Sequence, residues 1–225
     1  MQDILLDHLK TIRSKIDEDT VTLLAVTKTV PVERINIAIL EGGVRYIGEN
    51  RVQELLQKYD QLALRDQLHI HLIGSLQTNK VKYIIDKVEL IQSVDSVRLV
   101  DEIQKQASKI GKVQDILVEV NIGGEESKGG IAPDALPAML EHIKACPNVQ
   151  WKGLMCIPPI CEDEAVLSGY FSQMKKLLVD NIDKKLDNIN DYVLSMGMSS
   201  DYEIAVKEGS NMIRIGSALF GSRKY

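Results

Sequence analysis

Short apolar segments and helix-like segments alternate along almost the whole chain. Eight segments are rich in β-branched residues and have the length of buried strands; they cover residues 21–27, 44–50, 69–75, 90–95, 114–122, 151–157, 191–197 and 211–217. Helical patterns lie between them, among them residues 51–59, 97–111 and 170–186. Such alternation implies parallel strands joined by right-handed crossovers, and eight units are the number that closes a TIM (β/α)8 barrel. An open doubly wound sheet is the alternative that strand count alone leaves open.

An extra helix is predicted ahead of the first strand. Its apolar positions recur at helical spacing and are Ile4, Leu5, Leu9, Ile12 and Ile16. The chain has 225 residues and is 44% hydrophobic, which is enough for one sizeable core, and α/β barrels of this length commonly form one domain. We therefore expect residues 1–225 to form a single domain.

Net charge and cysteine content limit the classes of binding partner and the cellular compartment that we expect for this protein. The formal net charge is −5, so we expect no general attraction to nucleic acid or to anionic membranes. The cysteines, Cys146, Cys156 and Cys161, are odd in number and lack CxxC spacing, which favours a reducing compartment. The first residues lack the apolar run of a signal peptide, and no stretch approaches the roughly 18 apolar residues of a membrane span. We expect a cytoplasmic protein whose partners are small molecules or proteins.

Lys28 follows the first apolar segment directly. Ligand chemistry in both candidate architectures lies beyond the carboxyl ends of the strands. An amine held at the mouth of an apolar strand loses hydration, which favours its neutral, nucleophilic form and suits Schiff-base chemistry with an aldehyde. The alternative from the residues alone is an ordinary solvent-exposed lysine.

The seventh and eighth segments end in residues suited to binding a phosphate. Ser200 and Glu203 match a helix capping box, and Gly216 with Ser217 would open a short helical turn with free N–H groups. TIM barrels most often hold a phosphate at these two strand ends. A closed barrel also places its first strand beside its last, so Lys28 would lie near this cradle.

Arg214 is predicted to point into the barrel mouth, because it alternates with Ile213 and Ile215 along its strand. A buried arginine stays charged and needs a partner or a ligand. An internal salt bridge to an acid such as Glu119 is the alternative. His69 and His71 share a strand face, but no third ligand appears at diagnostic spacing, so no metal site is predicted.

Long motifs carry a resemblance to a known family. These are LLAVTKTVP, YIGENRVQE, HLIGSLQTNK, VNIGGEESKGG and LSMGMSSDYEIAVKEGSNMIRIGSALFG, in order over nearly the whole chain. They resemble the pyridoxal phosphate homeostasis proteins, a family similar to the N-terminal barrel domain of alanine racemases. The resemblance implies that Lys28 forms an aldimine with pyridoxal 5'-phosphate (PLP), that Asn50 and Met196 line the cofactor, that Ser199 or Ser200 with Gly216 and Ser217 bind its phosphate, and that Arg214 faces its pyridine nitrogen.

Three functions fit these residues. The first, favoured by the resemblance, is a monomeric, essentially non-catalytic protein that holds PLP and supplies PLP-dependent apoenzymes. The second is a PLP-dependent amino acid racemase, which needs a second acid/base group opposite the lysine. We expect the few residues after the eighth segment to be too short to provide one. The third is an aldolase in which Lys28 reacts directly with a carbonyl substrate.

Overall fold

Eight parallel strands close into a barrel in the computed structural model, which describes residues 2–125, 128–182 and 191–221, without the side chains of residues 2 and 3. The strands are β1 Thr22–Val26, β2 Tyr46–Glu49, β3 His69–Leu72, β4 Leu90–Val94, β5 Gln114–Glu119, β6 Val149–Met155, β7 Val193–Met198 and β8 Met212–Ile215. Each pairs with its neighbours in chain order, and β1 pairs with β8 from Thr22 opposite Met212 to Ala25 opposite Ile215. The predicted TIM barrel is therefore confirmed and the open sheet is excluded.

Helices surround the barrel and follow most of the strands. They are α1 Gln2–Arg13, α2 Val32–Leu40, α3 Val52–Lys58, α4 Val97–Lys109, α5 Leu136–Lys144, α6 Glu164–Asn181, α7 Tyr202–Lys207 and α8 Ser217–Phe220. Short 3₁₀ turns cover Tyr59–Gln61, Arg65–Gln67, Thr78–Tyr83 and Pro133–Ala135. The helix predicted over 170–186 begins earlier, at Glu164, and residues 183–186 lie outside the described part of the chain.

The extra N-terminal helix is present and packs against α2 and α8. Leu5, Leu9 and Ile12 are buried as their spacing predicts, whereas Ile4 is exposed. His8 Nδ1 lies 3.1 Å from the carbonyl oxygen of Leu219 in α8. In the described residues, none of the helices combines the length and apolar character that a bilayer crossing needs.

The apolar core has two shells. The outer shell fills the space between strands and helices, and it includes Ile213 and Ile215 of β8. Smaller clusters fill the barrel interior; they are Leu24, Val26, Ile73 and Met212, and Leu90, Leu117 and Met155. Alternation along β8 thus turns Ile213 and Ile215 outward and Arg214 inward, as predicted.

Candidate functional site at the carboxyl ends of the strands

A cavity of about 290 Å³ lies at the carboxyl ends of the barrel strands. Its lining residues are Val26, Lys28, Asn50, Ile73, Ile157, Met198, Ser199, Ser200, Arg214, Gly216 and Ser217. Seven of the eight residues that the sequence singles out for the site are in this set. Residues far apart in sequence meet here because the β1–β8 pairing closes the barrel.

Lys28 lies two residues beyond the end of β1 and is partly buried. Its backbone neighbours are fixed: Thr27 N–H donates to Gly48 O at 2.9 Å, and Val30 N–H donates to Thr27 O at 3.0 Å. The apolar side of the cavity includes Val26 and Ile73, so the amine enters a partly dry space.

Asn50 follows β2 and contributes an amide to the cavity. Among the described residues, its Oδ1 atom is buried and accepts no hydrogen bond. Buried polar atoms are normally paired, because an unpaired one costs roughly 1–3 kcal/mol. The amide therefore fits a ligand that supplies a donor or an ordering contact.

Ser199 brings the end of β7 to the beginning of α8. Its Oγ accepts hydrogen bonds from the backbone N–H of Gly216 at 3.3 Å and of Ala218 at 3.1 Å. Ser200 and Ser217 are exposed to the same cavity. Three hydroxyls therefore line one part of the cavity, a set of donors that suits an anion such as a phosphate, while the N–H groups of Gly216 and Ala218 hold Ser199 in place.

Arg214 forms the charged floor of the cavity, with only 4% of its surface exposed. Nη1 donates to Ser195 O at 2.7 Å and to Ser195 Oγ at 2.8 Å, and Nη2 donates to Cys156 O at 2.7 Å. All three acceptors are neutral, so the hydrogen bonds orient the guanidinium without cancelling its charge. Glu119, the salt-bridge partner in the alternative interpretation, is not among them. Burial raises the pKa of Glu119 to about 7, with Asp95 adding to this and Arg214 opposing it.

Met196 does not line the cavity, which corrects the expectation drawn from the family resemblance. Its side chain is fully buried in the outer shell of the core. The register of β7 shifts between Ser195 and Met198, and Gly197 takes a φ of +91° there. Met196 points outward because its neighbour Ser195 points inward, and the irregularity that follows turns Met198 into the cavity.

The predicted capping box at Ser200 and Glu203 is also wrong. Helix α7 begins one residue later, with Asp201 at its N-cap. Asp201 Oδ1 instead accepts the backbone N–H of Met198, and Glu203 accepts a hydrogen bond from Lys15. Ser200 is thereby left at the cavity wall.

Two polar residues that sequence reasoning missed, Ser195 and Gln92, lie behind Arg214. Ser195 Oγ donates to Gln92 Oε1 at 2.7 Å, and Gln92 Nε2 lies 2.9 Å from His71 Nδ1. A continuous polar chain therefore runs from Arg214 at the cavity floor to His71 in the barrel interior. His69 is not part of this chain: its Nδ1 lies 2.5 Å from Glu89 Oε2, and both side chains are partly exposed.

A second, larger cavity of about 640 Å³ lies at the amino-terminal ends of β6 and β7, beside Trp151 and Tyr192. Chemistry in this architecture occurs at the opposite end of the barrel. Among the described residues, the group whose ligand atoms come close enough to hold a metal is Asp101, His142 and Cys146, on or just after α4 and α5. Neither feature includes a residue that the sequence motifs single out.

Comparison with known proteins places the chain in a family. The sequence matches the family profile described as "Alanine racemase, N-terminal domain" over residues 2–224. It is 48% identical over 209 residues to a pyridoxal phosphate homeostasis protein of Aquifex aeolicus, covering 92% of this chain and 90% of that protein. The chain belongs to the pyridoxal phosphate homeostasis protein family.

Solved structures agree with this assignment. PipY of Synechococcus elongatus, solved with PLP bound, superposes with a TM-score of 0.86 at 33% identity over 96% of this chain and 100% of that one. An alanine racemase of Clostridium difficile superposes with a TM-score of 0.80 at 18% identity. That match covers 99% of this chain but 58% of the racemase, so it supports the barrel fold alone.

Proposed function

We propose that this protein binds PLP in the cavity at the carboxyl ends of its strands and takes part in PLP homeostasis. One observation carries the proposal: an amine, Lys28, and an anion-binding set built on Ser199, Ser200 and Ser217 line the same cavity. PLP presents an aldehyde and a phosphate to matching groups of this kind. The family assignment and the PLP-bound relative support the same ligand.

The phosphate end would be held at the β7 and β8 exits. The Oγ of Ser199 already bridges to the N–H groups of Gly216 and Ala218, so the backbone around it is ordered. The hydroxyls of Ser200 and Ser217 supply further donors from two sides. Asn50, with its unpaired buried Oδ1, would contact the ring end.

Lys28 would hold the other end covalently. PLP would supply an aldehyde to this end of the cavity, and the neutral amine of Lys28 is the group that would hold it. The apolar residues beside Lys28, Val26 and Ile73, would limit the access of water to this covalent link.

Arg214 would make the bound ring a poor electron sink. A fixed cation facing the pyridine nitrogen opposes protonation of that nitrogen, which weakens the ring's ability to stabilise a carbanion. Lys28 and Arg214 are the only ionisable side chains among the described residues that line the cavity. A racemase needs a second acid/base group, so these residues favour holding the cofactor over catalysis.

We further propose that the recipients of PLP are PLP-dependent apoenzymes in the cytoplasm and that the protein acts as a monomer. Its three cysteines are free thiols, which fits a reducing compartment. A covalent but reversible link suits storage and delivery, because the reverse reaction needs only water.

The proposal predicts that Lys28 is the residue modified when PLP is trapped. The purified protein, reconstituted with PLP, is reduced with borohydride and the modified peptide is identified by mass spectrometry. We expect a yellow protein with label on Lys28, and no label on this peptide in Lys28→Ala, which should fold normally because Lys28 lies beyond the strand. Label on another lysine would reject the assignment, and a colourless protein that forms the adduct with a sugar or keto-acid substrate instead would favour an aldolase.

A further inference from the structure

We propose that Lys58, with Glu49 and Glu54, is a positioning residue for Lys28. This set of three residues, here called the clamp, touches neither the cavity nor its proposed ligand. It holds the backbone on both sides of Lys28. The inference rests on the proposed function, since positioning Lys28 matters only if that amine reacts.

Lys58 joins α3 to the segment that carries Lys28. Its Nζ donates to the carbonyl oxygen of Thr27 at 2.8 Å and to Glu49 Oε1 at 2.6 Å, and it lies 3.3 Å from Glu54 Oε2. All three donor positions of the ammonium are therefore used. The side chain is 15% exposed, so water competes weakly for these contacts.

Glu49 and Glu54 complete the hold on each neighbour of Lys28. Glu49 Oε1 also accepts from Thr27 Oγ1 at 2.9 Å, and Glu54 Oε2 accepts the backbone N–H of Thr29 at 2.8 Å. The residue before the lysine and the residue after it are thus fixed by side chains from the end of β2 and from α3.

Thr29 shows that this hold works against the backbone's own preference. Its φ is +62°, in the left-handed region that a β-branched residue rarely adopts. Such a conformation costs of the order of 1–3 kcal/mol and persists only where the surroundings determine it. Two described hydrogen bonds fix this turn: Val30 N–H donates to Thr27 O, and Thr29 N–H donates to Glu54. The second is the side-chain contact that helps to set the direction in which Lys28 leaves the strand.

A stability role alone explains the clamp poorly. Glu49 is 1% exposed, and burial raises its pKa while Lys58 and Thr27 oppose the rise, so the carboxylate is costly to bury. Replacing a buried ion pair by apolar residues is often neutral or stabilising. The arrangement is more simply understood as fixing the geometry of the chain at Lys28.

The test uses Lys58→Met, with two readouts. In the protein before PLP is added, amide hydrogen exchange at Thr29 is followed by NMR, and we expect it to accelerate about tenfold. In the PLP-loaded protein, we expect PLP to be released to an excess of a PLP-scavenging amine about tenfold faster than from wild type, as for the loss of one partly buried hydrogen bond. Lys58→Arg should restore part of both effects, because it keeps the cation.

Lys15→Met is the matched control, since it breaks another lysine–glutamate pair, with Glu203 at 2.7 Å, on the exposed surface. It should leave both readouts unchanged. If Lys58→Met fails to fold because Glu49 is left unpaired, the double variant Glu49→Gln with Lys58→Met removes that charge and takes its place.

The proposal would be overturned by a folded variant in which the Thr29 amide hydrogen exchanges and PLP is released at wild-type rates, even if the melting temperature of that variant were lower. Failure of the proposed function would look different: wild type itself would trap no PLP on Lys28. The amide exchange result would then still decide whether the clamp orders this segment.

Discussion

His71 lies almost fully buried in the barrel interior, where it cannot accept a proton at low cost. Burial lowers its pKa to about 3, and the charge of nearby His69 acts in the same direction. Its Nδ1 contacts Gln92, which in turn contacts Ser195 beneath Arg214. The neutral ring is therefore part of the support of the cavity floor.

The lowered pKa of His71 predicts a loss of stability in acid. In the unfolded chain His71 binds a proton near pH 6.5, whereas in the folded protein it binds one only near pH 3. Stability therefore falls as the pH drops through this window. Between pH 7.5 and pH 5 we expect His71 to account for a loss of about 2 kcal/mol in the free energy of unfolding. Urea unfolding of wild type and His71→Gln at both pH values measures the difference.

Comparing wild type with His71→Gln cancels the contributions of other titrating groups to the pH dependence of stability. Glu119, whose pKa is raised to about 7, acts in the opposite sense, because the folded protein takes up its proton more readily than the unfolded chain between about pH 7 and its ordinary value of 4.5. That contribution is common to both proteins. Equal losses of stability in the two would contradict the account of His71.

Residue-level prediction from the sequence succeeded where the strand-end rule applies and failed where long-range contacts decide. Lys28 and Asn50 follow apolar strands, and Arg214 alternates with outward-facing isoleucines inside β8, so their place at the cavity could be predicted. The partners of Arg214 could not, because Ser195 and Cys156 reach it from other strands as neutral acceptors.

At the scale of elements, the exit of β7 shapes the cavity. Gly197 allows the register shift that turns Met198 inward and leaves Ser199 above α8. A Cβ at this position would lie 2.6 Å from the Cβ of Ala205 and 2.9 Å from the Cα of Tyr202, both in or beside α7. Backbone conformation and packing therefore both require glycine here.

Gly197→Ala is accordingly predicted to lower the free energy of unfolding by roughly 2–5 kcal/mol, since it combines left-handed strain with a backbone clash. Gly111→Ala is the matched control: its φ is +65°, but nothing lies within 4 Å of the added Cβ, so strain alone should cost about 1–2 kcal/mol. Chemical denaturation of both variants tests this. A cost for Gly197→Ala no greater than for Gly111→Ala would mean that the β7 exit tolerates a side chain.

Local patterns explain why the strands and helices were predicted well and the residues at which they begin and end less well. The Ser200 and Glu203 pair matches a capping box, but Asp201 competes by accepting the Met198 N–H and becomes the N-cap itself. The Glu49–Lys58 pair could not be predicted from the sequence for a different reason. The two residues are on different elements, and they meet only because α3 folds back over the end of β2.

At the scale of the whole molecule, closure of the barrel joins the first strand to the last. The alternation of eight strand and helix patterns was sufficient to predict this architecture, and the pairing of β1 with β8 decided it against an open sheet. Closure brings Lys28 and Arg214 to one cavity although 186 positions separate them in the sequence (214 − 28). The proposed grip on PLP at both its ends depends on this single topological fact.

A crystal structure of the protein grown with PLP tests that dependence most directly. We predict continuous density from Lys28 Nζ to the cofactor ring, with the phosphate within hydrogen-bond distance of Ser199 and Ser217. Density for PLP in the cavity beside Trp151 and Tyr192, or a phosphate bound away from the β7 and β8 exits, would contradict the account.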